Sequence, residues 1–222
     1  MNKIELLKKI TASFDVDPQN GFTPLCPDEL PIVGGHEIAD ELNKNAKFGL
    51  LRVGSKDAHP SNPIWAVTPE KPILSEIEGD HKNVDVHWNL HCQVGTFGFE
   101  YIDGLPPVSE YDFMVYKGIE VDMHPYGACY HDLANKKTTG VIEYLKANGI
   151  RNVVVGGLAT DFCVANTAKQ LHNAFFNVII NLASCRGISE EKMAEEIAIM
   201  KKMGIKFVNN ADELKLIEGA YL

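Results

Sequence analysis

A chain of 222 residues with 45 % apolar and 23 % charged residues has ordinary globular composition, which argues against a disordered segment. At this length roughly 70 % of the unfolded surface can be buried, so neither disulfides nor a structural metal is needed for folding. A formal net charge of −9 repels phosphate backbones and anionic lipid, which argues against nucleic acid and membrane partners. No stretch approaches the roughly 20 apolar residues of a membrane helix. The opening segment Met1–Ile10 is mixed in charge and lacks the apolar core of a secretion signal. Five scattered cysteines (Cys26, Cys92, Cys129, Cys163, Cys185) form no CxxC pair, which removes zinc ribbons and thioredoxin-type motifs and fits a reduced, cytoplasmic protein.

In chain order, Thr11–Asp17 reads as a strand ended by Pro18 and the turn-prone Asn20-Gly21. Val33–Ala46 has helical spacing at Ile38, Ala39 and Leu42, and Phe48–Val53 reads as a second strand leading into Gly54-Ser-Lys-Asp57. Residues 58–110 lack periodicity and carry six prolines, which predicts a long irregular excursion of the kind that usually serves function. Asp112–Lys117 is a third strand, Thr138–Asn148 a helix with Gly149 at its C-terminal cap, and Val153–Val155 a central strand. Asp161–Phe175 reads as a helix, Asn177–Ala183 as a strand, Ser189–Met203 as a helix, Lys206–Val208 as a strand and Asp212–Glu218 as a closing helix. This alternation predicts an α/β fold in one domain over residues 1–222. Its doubly wound, mainly parallel six-stranded sheet would carry helices on both faces.

Ligands of such sheets bind beyond the carboxyl ends of the strands, near the point where strand order reverses. Asp17, Asp57 with His59, Lys117, and the segment Gly156-Gly-Leu-Ala-Thr-Asp-Phe-Cys163 all fall there. Cys163 lies in the first turn of a predicted helix, where orphan amides and the dipole lower a thiol pKa. Asp17 is placed to move its proton, and Lys117 to keep Asp17 ionised and favour the thiolate. Asp57-x-His59 presents two donors on one side of an extended segment, and His91 could add a third, an open set suited to a catalytic metal. The other histidines lack a partner pattern, and His124 fits the site or the surface equally. Phe22 and Trp88 flank these groups as candidate walls for a flat ring. Each residue alone has a bland reading: a buried apolar cysteine, a loop aspartate, a solvated lysine, core aromatics.

Together, Phe14-Asp-Val-Asp17-Pro-Gln-Asn-Gly-Phe22, Ser55-Lys-Asp57-Ala-His59-Pro, Trp88-Asn-Leu-His91-Cys92, Tyr116-Lys117-Gly118 and Gly157-Leu-Ala-Thr-Asp-Phe-Cys163-Val resemble the nicotinamidases (pyrazinamidases) of the isochorismatase-like cysteine hydrolase superfamily. The resemblance implies hydrolysis of nicotinamide to nicotinate and ammonia in NAD salvage, through a thioester on Cys163. Asp17 would be the proton shuttle, Lys117 its support, and the backbone amides of Ala159 and Cys163 the oxyanion hole. It also implies a cis peptide at Leu158–Ala159 and one divalent metal, zinc before iron or manganese, on Asp57, His59 and His91. Phe22 and Trp88 would sandwich the substrate, a small aromatic carboxamide. Pro18 and Gly21 depart from the usual motif. Some relatives add a histidine or glutamate ligand a few positions after D-x-H, where this chain offers Ser61, Asn62 and Trp65, so water would complete the shell. Rival readings are an amidase for carbamoyl or ureido substrates, a metal-free isochorismatase-type hydrolase, and a non-catalytic binding module. A dinucleotide oxidoreductase is excluded by the missing GxGxxG. The sequence leaves self-association open.

Overall fold

The computed structural model describes residues 3–218; Met1 and Asn2 of the opening segment lie outside that range. Among the described residues eight strands form: β1 (Ile4–Leu6), β2 (Thr11–Val16), β3 (Leu51–Asp57), β4 (Phe113–Lys117), β5 (Asn152–Leu158), β6 (Asn177–Arg186), β7 (Lys206–Val208) and β8 (Leu214–Leu216). Four α-helices join them: α1 (Ala39–Ala46), α2 (Val141–Ala147), α3 (Ala165–Asn173) and α4 (Glu190–Met203). The main sheet is six-stranded and parallel throughout, in the order β4-β3-β2-β5-β6-β7. The chain winds outward from β2 through β3 to β4, returns to β5 beside β2, and winds the other way to β7. The order therefore reverses between β2 and β5.

Central strands of such a sheet are apolar on both sides because both faces are covered. In β5, Val153 and Val155 join the core under α2, α3 and α4, while Val154 packs with Leu6, Ile179, Val208 and Leu214 on the opposite face. The α4 boundaries follow local chemistry: the Ser189 side chain accepts from the Lys192 N–H, glutamates open the first turn, lysines close the last, and Gly204 caps at φ 95°. Among the described residues no helix is long and apolar enough to cross a membrane.

Three expectations are corrected. The second strand begins at Leu51 rather than Phe48 and continues through Asp57, because β2 and β4 pair with it along Leu51–Ser55 and Val53–Asp57. The Cys163 helix opens as a π-turn over Thr160–Val164 before α3. The closing helix does not form: Ala211–Glu213 is one 3₁₀ turn and Leu214–Leu216 is a strand, paired in parallel with Ile4–Leu6. Leu214 is buried and Leu216 exposed, so tertiary pairing decides a segment too short to settle itself.

The excursion after β3 has only 3₁₀ turns and isolated bridges. One bridge positions the site: His59 N–H donates to the Cys92 carbonyl at 3.2 Å and Val94 N–H to the His59 carbonyl at 3.0 Å. That pairing returns His91 to His59 across 32 residues of chain.

Candidate active site

Asp17 follows β2, Asp57 ends β3, Lys117 ends β4 and Cys163 lies just past β5. Register brings them together: Val16 pairs with both Ser55 and Gly157, and Asp57 with Lys117. Asp17 adopts φ 45°, a left-handed conformation that aspartate tolerates better than most residues. Its carboxylate accepts from the Ser55 hydroxyl at 2.6 Å and lies 3.0 Å from Lys117 Nζ. Lys117 also donates to Asp57 and, at 3.2 Å, to the Pro125 carbonyl, and its Nζ is 3.7 Å from Cys163 Sγ. One ligand atom each of Asp17, Asp57 and Cys163 falls within 4.8 Å of the others. The Leu158–Ala159 peptide is cis.

Burial costs every charge in this cluster, and the pairing decides which survive. Burial would neutralise Lys117, but the two carboxylates hold its pKa well above the ordinary lysine range. Burial also raises Asp57, yet Lys117 and His59 outweigh it and leave this carboxylate well below its usual range. Asp17 is different: burial outweighs Lys117, Asp57 adds repulsion, and its pKa rises. Cys163 is pushed well above the ordinary thiol range by burial, with Lys117 opposing and both carboxylates reinforcing. This corrects the expectation of a thiolate favoured by helix and lysine. With two carboxylates against one ammonium, a thiolate would add a second uncompensated buried charge. In the protein's own field the Cys163 thiol and the Asp17 carboxylate both hold their protons more strongly than usual.

Above this cluster the Nε2 atoms of His59 and His91 each lie 3.6 Å from Asp57 Oδ2. Their other ring nitrogens bond backbone carbonyls, His59 Nδ1 to Gly118 at 3.0 Å and His91 Nδ1 to Asn89 at 2.6 Å. That arrangement frees both Nε2 atoms for a ligand, as second-sphere carbonyls do in metal sites. His59 Nε2 is buried with no hydrogen-bond partner, and burial keeps the His59 imidazole below its usual pKa and neutral. Two imidazoles and a carboxylate that converge on one space fit a divalent cation.

A small pocket is lined by Phe22, Asp57, Trp88, His91, Tyr126, Ala159, Phe162 and Cys163, among others. Both sequence-proposed wall residues, Phe22 and Trp88, thus face the same space as the thiol. Trp88 stands edge-on to Phe162 with centroids 5.0 Å apart. Sequence reasoning missed Gln19, Tyr126 and Phe162 and left His124 open between site and surface. Gln19 clamps the Asp57 backbone, its Oε1 accepting from Asp57 N–H at 2.7 Å and its Nε2 donating to the Asp57 carbonyl at 2.8 Å. Tyr126 and Phe162 line the pocket, and His124 is 4 % exposed beside His59 and His91 rather than at the surface. The one available signal was position: Phe162 is next to the cysteine, and His124 and Tyr126 lie on the loop leaving Lys117.

Residues 16–212 match the family model for the isochorismatase domain. A nicotinamidase of Acinetobacter baylyi is 31 % identical over 176 residues, covering 78 % of this chain and 79 % of its own. The structure of an Acinetobacter baumanii nicotinamidase/pyrazinamidase aligns with a TM-score of 0.83 at 30 % identity, over 93 % of this chain and 99 % of that one. A pyrazinamidase of Pyrococcus horikoshii in complex with zinc aligns with a TM-score of 0.71 at 28 % identity, over 90 % and 98 %.

Proposed function

This chain belongs to the isochorismatase family, and from that membership and the cluster at the strand ends we propose that it hydrolyses nicotinamide to nicotinate and ammonia. The observation that carries the reading is the buried contact of Cys163 Sγ with Lys117, itself paired to Asp17, at the wall of an aromatic-lined pocket.

Asp17 takes the thiol proton as Cys163 Sγ attacks the carboxamide carbon. The negative oxygen of the tetrahedral intermediate is held by the backbone amides of Ala159 and Cys163. Asp17 then gives its proton to the amide nitrogen, the carbon–nitrogen bond breaks, and ammonia leaves a thioester on Cys163. A water molecule that surrenders a proton to Asp17 attacks the thioester. Collapse expels the thiolate, the proton on Asp17 returns to sulfur, and the acid product loses its own proton to solvent and leaves as nicotinate. Lys117 keeps its charge throughout and steadies Asp17 in both protonation states. Phe22 and Trp88 hold the pyridine ring. Asp57, His59 and His91 would hold a divalent ion, with zinc the first expectation and iron or manganese the alternatives, which when bound would supply Lewis acidity toward the ring nitrogen.

The reading places one catalytic domain in the cytoplasm, where five free thiols suit a reducing compartment, and in the salvage of NAD from nicotinamide. The test is ammonia release from a panel of aromatic carboxamides, carbamates and ureides by the purified protein, with and without chelator. Nicotinamide should lead the panel, and Cys163→Ala should release none. A preference for ureido substrates, or near-wild-type turnover by Cys163→Ala, would refute the proposal.

A further inference from the structure

We propose that His124 is a fourth protein ligand to the divalent metal, so that the ion is held by one carboxylate and three imidazoles. The inference rests on the reading that Asp57, His59 and His91 form a metal site, and extends it to a residue outside the D-x-H pattern. His124 arrives from the loop after β4, and its backbone N–H donates to the Asn83 carbonyl at 2.8 Å, which pins that loop to the excursion. The ring is 4 % exposed, and neither ring nitrogen has a hydrogen-bond partner among the described residues. A ligand nitrogen of His124 lies within 4.8 Å of those of His59 and His91. Its plane is 15° from that of His59 at a centroid separation of 5.2 Å, and Trp65 closes edge-on at 4.5 Å.

A neutral His124 ring carries one lone pair and one N–H, and with neither nitrogen partnered its lone pair joins that of the orphaned His59 Nε2 as acceptors that the protein itself leaves unanswered. A buried polar group normally finds a partner, and a shared cation answers several of these at once. The donor Trp65 cannot serve, because its indole N–H is committed to the Met123 carbonyl at 3.2 Å. A nitrogen-rich set also biases the site toward zinc, cobalt or nickel and away from manganese or magnesium.

The test compares the wild type, His124→Ala and His59→Ala, each stripped with chelator and reloaded with zinc or cobalt. The wild type should bind one ion. His124→Ala should bind zinc about 100-fold more weakly by chelator competition, the upper end of what loss of a mere second-sphere partner gives. The visible spectrum of the cobalt form should change as a nitrogen donor is lost. X-ray absorption on the zinc-loaded wild type should fit three imidazoles, a readout that needs no variant to fold. Unchanged affinity and spectrum in His124→Ala, or a two-imidazole fit, overturns the inference even while His59→Ala loses its ion and the parent site stands. Failure of the wild type to bind any ion overturns both.

Discussion

The Lys117 ammonium lies 3.0 Å from the Asp17 carboxylate with neither group exposed to solvent. The same nitrogen donates to Asp57, so a single cation joins the carboxylate beside the thiol to the carboxylate that faces the histidines. Replacing it removes the buried ammonium that the two carboxylates share. Lys117→Met should therefore destabilise the fold by about 3–5 kcal/mol, the usual result of breaking a buried pair from one side. Ammonia release should fall by about 10²–10³ or more, since Asp17 then binds a proton instead of accepting one from sulfur. Urea denaturation and the ammonia assay measure the two effects, and a variant as stable and active as wild type would contradict the arrangement.

Tyr126 links the loop after β4 to the excursion. Its hydroxyl donates to Asp85 at 2.7 Å and accepts from the Trp88 indole at 3.3 Å, while its ring lines the pocket. Tyr126→Phe keeps the wall and removes the tether. Two modest hydrogen bonds at roughly 1 kcal/mol each should appear as a rise of up to about 30-fold in KM for nicotinamide, with kcat nearly unchanged. Steady-state kinetics separate the two constants. A collapse of kcat at constant KM would assign Tyr126 to the chemistry instead.

Gly157 is where β5 presses on β2. At φ 135° a Cβ there would collide with the Val16 carbonyl oxygen and meet its carbonyl carbon at 2.7 Å, both backbone atoms that cannot rotate away. The two strands forced apart are those that lead to Asp17 and Cys163. Gly157→Ala should thus cost about 2–5 kcal/mol, adding backbone strain to overpacking, and should reduce ammonia release in the molecules that remain folded. Gly149→Ala is the control: φ 71° is also left-handed, but nothing lies within 4 Å, so roughly 1–2 kcal/mol is expected and activity should persist. Equal losses in denaturation midpoint would remove the steric argument.

The strand-end cluster was legible because Asp17, Asp57, Lys117 and Cys163 each follow a short apolar run, and a parallel sheet gathers such ends on one rim. Tyr126 and Gln19 were not, and His124 stayed open between site and surface, since each reaches the site from irregular backbone whose path depends on contacts such as His124 N–H to Asn83. The resting state of Cys163 was misread for a related reason. Local sequence displays the helix turn and the lysine, whereas the thiol pKa is set by complete burial and two carboxylates from other strands. The closing segment failed in the same way: Leu214–Leu216 becomes a strand only because Ile4–Leu6, some 210 residues earlier in sequence, supplies its partner.

Glu41 gives the fold a pH dependence away from the site. Its carboxylate, on α1, accepts from Ala211 N–H at 2.6 Å, from Asn181 Nδ2 at 3.1 Å and from Lys44 at 2.9 Å, tying the helix to β6 and to the turn before β8. Burial raises its pKa, but these donors outweigh burial and hold it below the ordinary 4.5. The unfolded state therefore binds a proton at higher pH than the folded state does. The sign follows: this stabilisation is complete above about pH 4.5 and is lost as pH falls through the lower folded value. Glu41→Gln keeps an acceptor oxygen and removes the charge, so at pH 7 it should be less stable by about 1–2 kcal/mol. The gap to wild type should close as the solution is acidified below pH 4.5, because the wild-type carboxylate becomes neutral too. Urea denaturation of both proteins across pH 3.5–7 follows the gap directly, and one that stays constant with pH would show that packing, not charge, makes Glu41 matter.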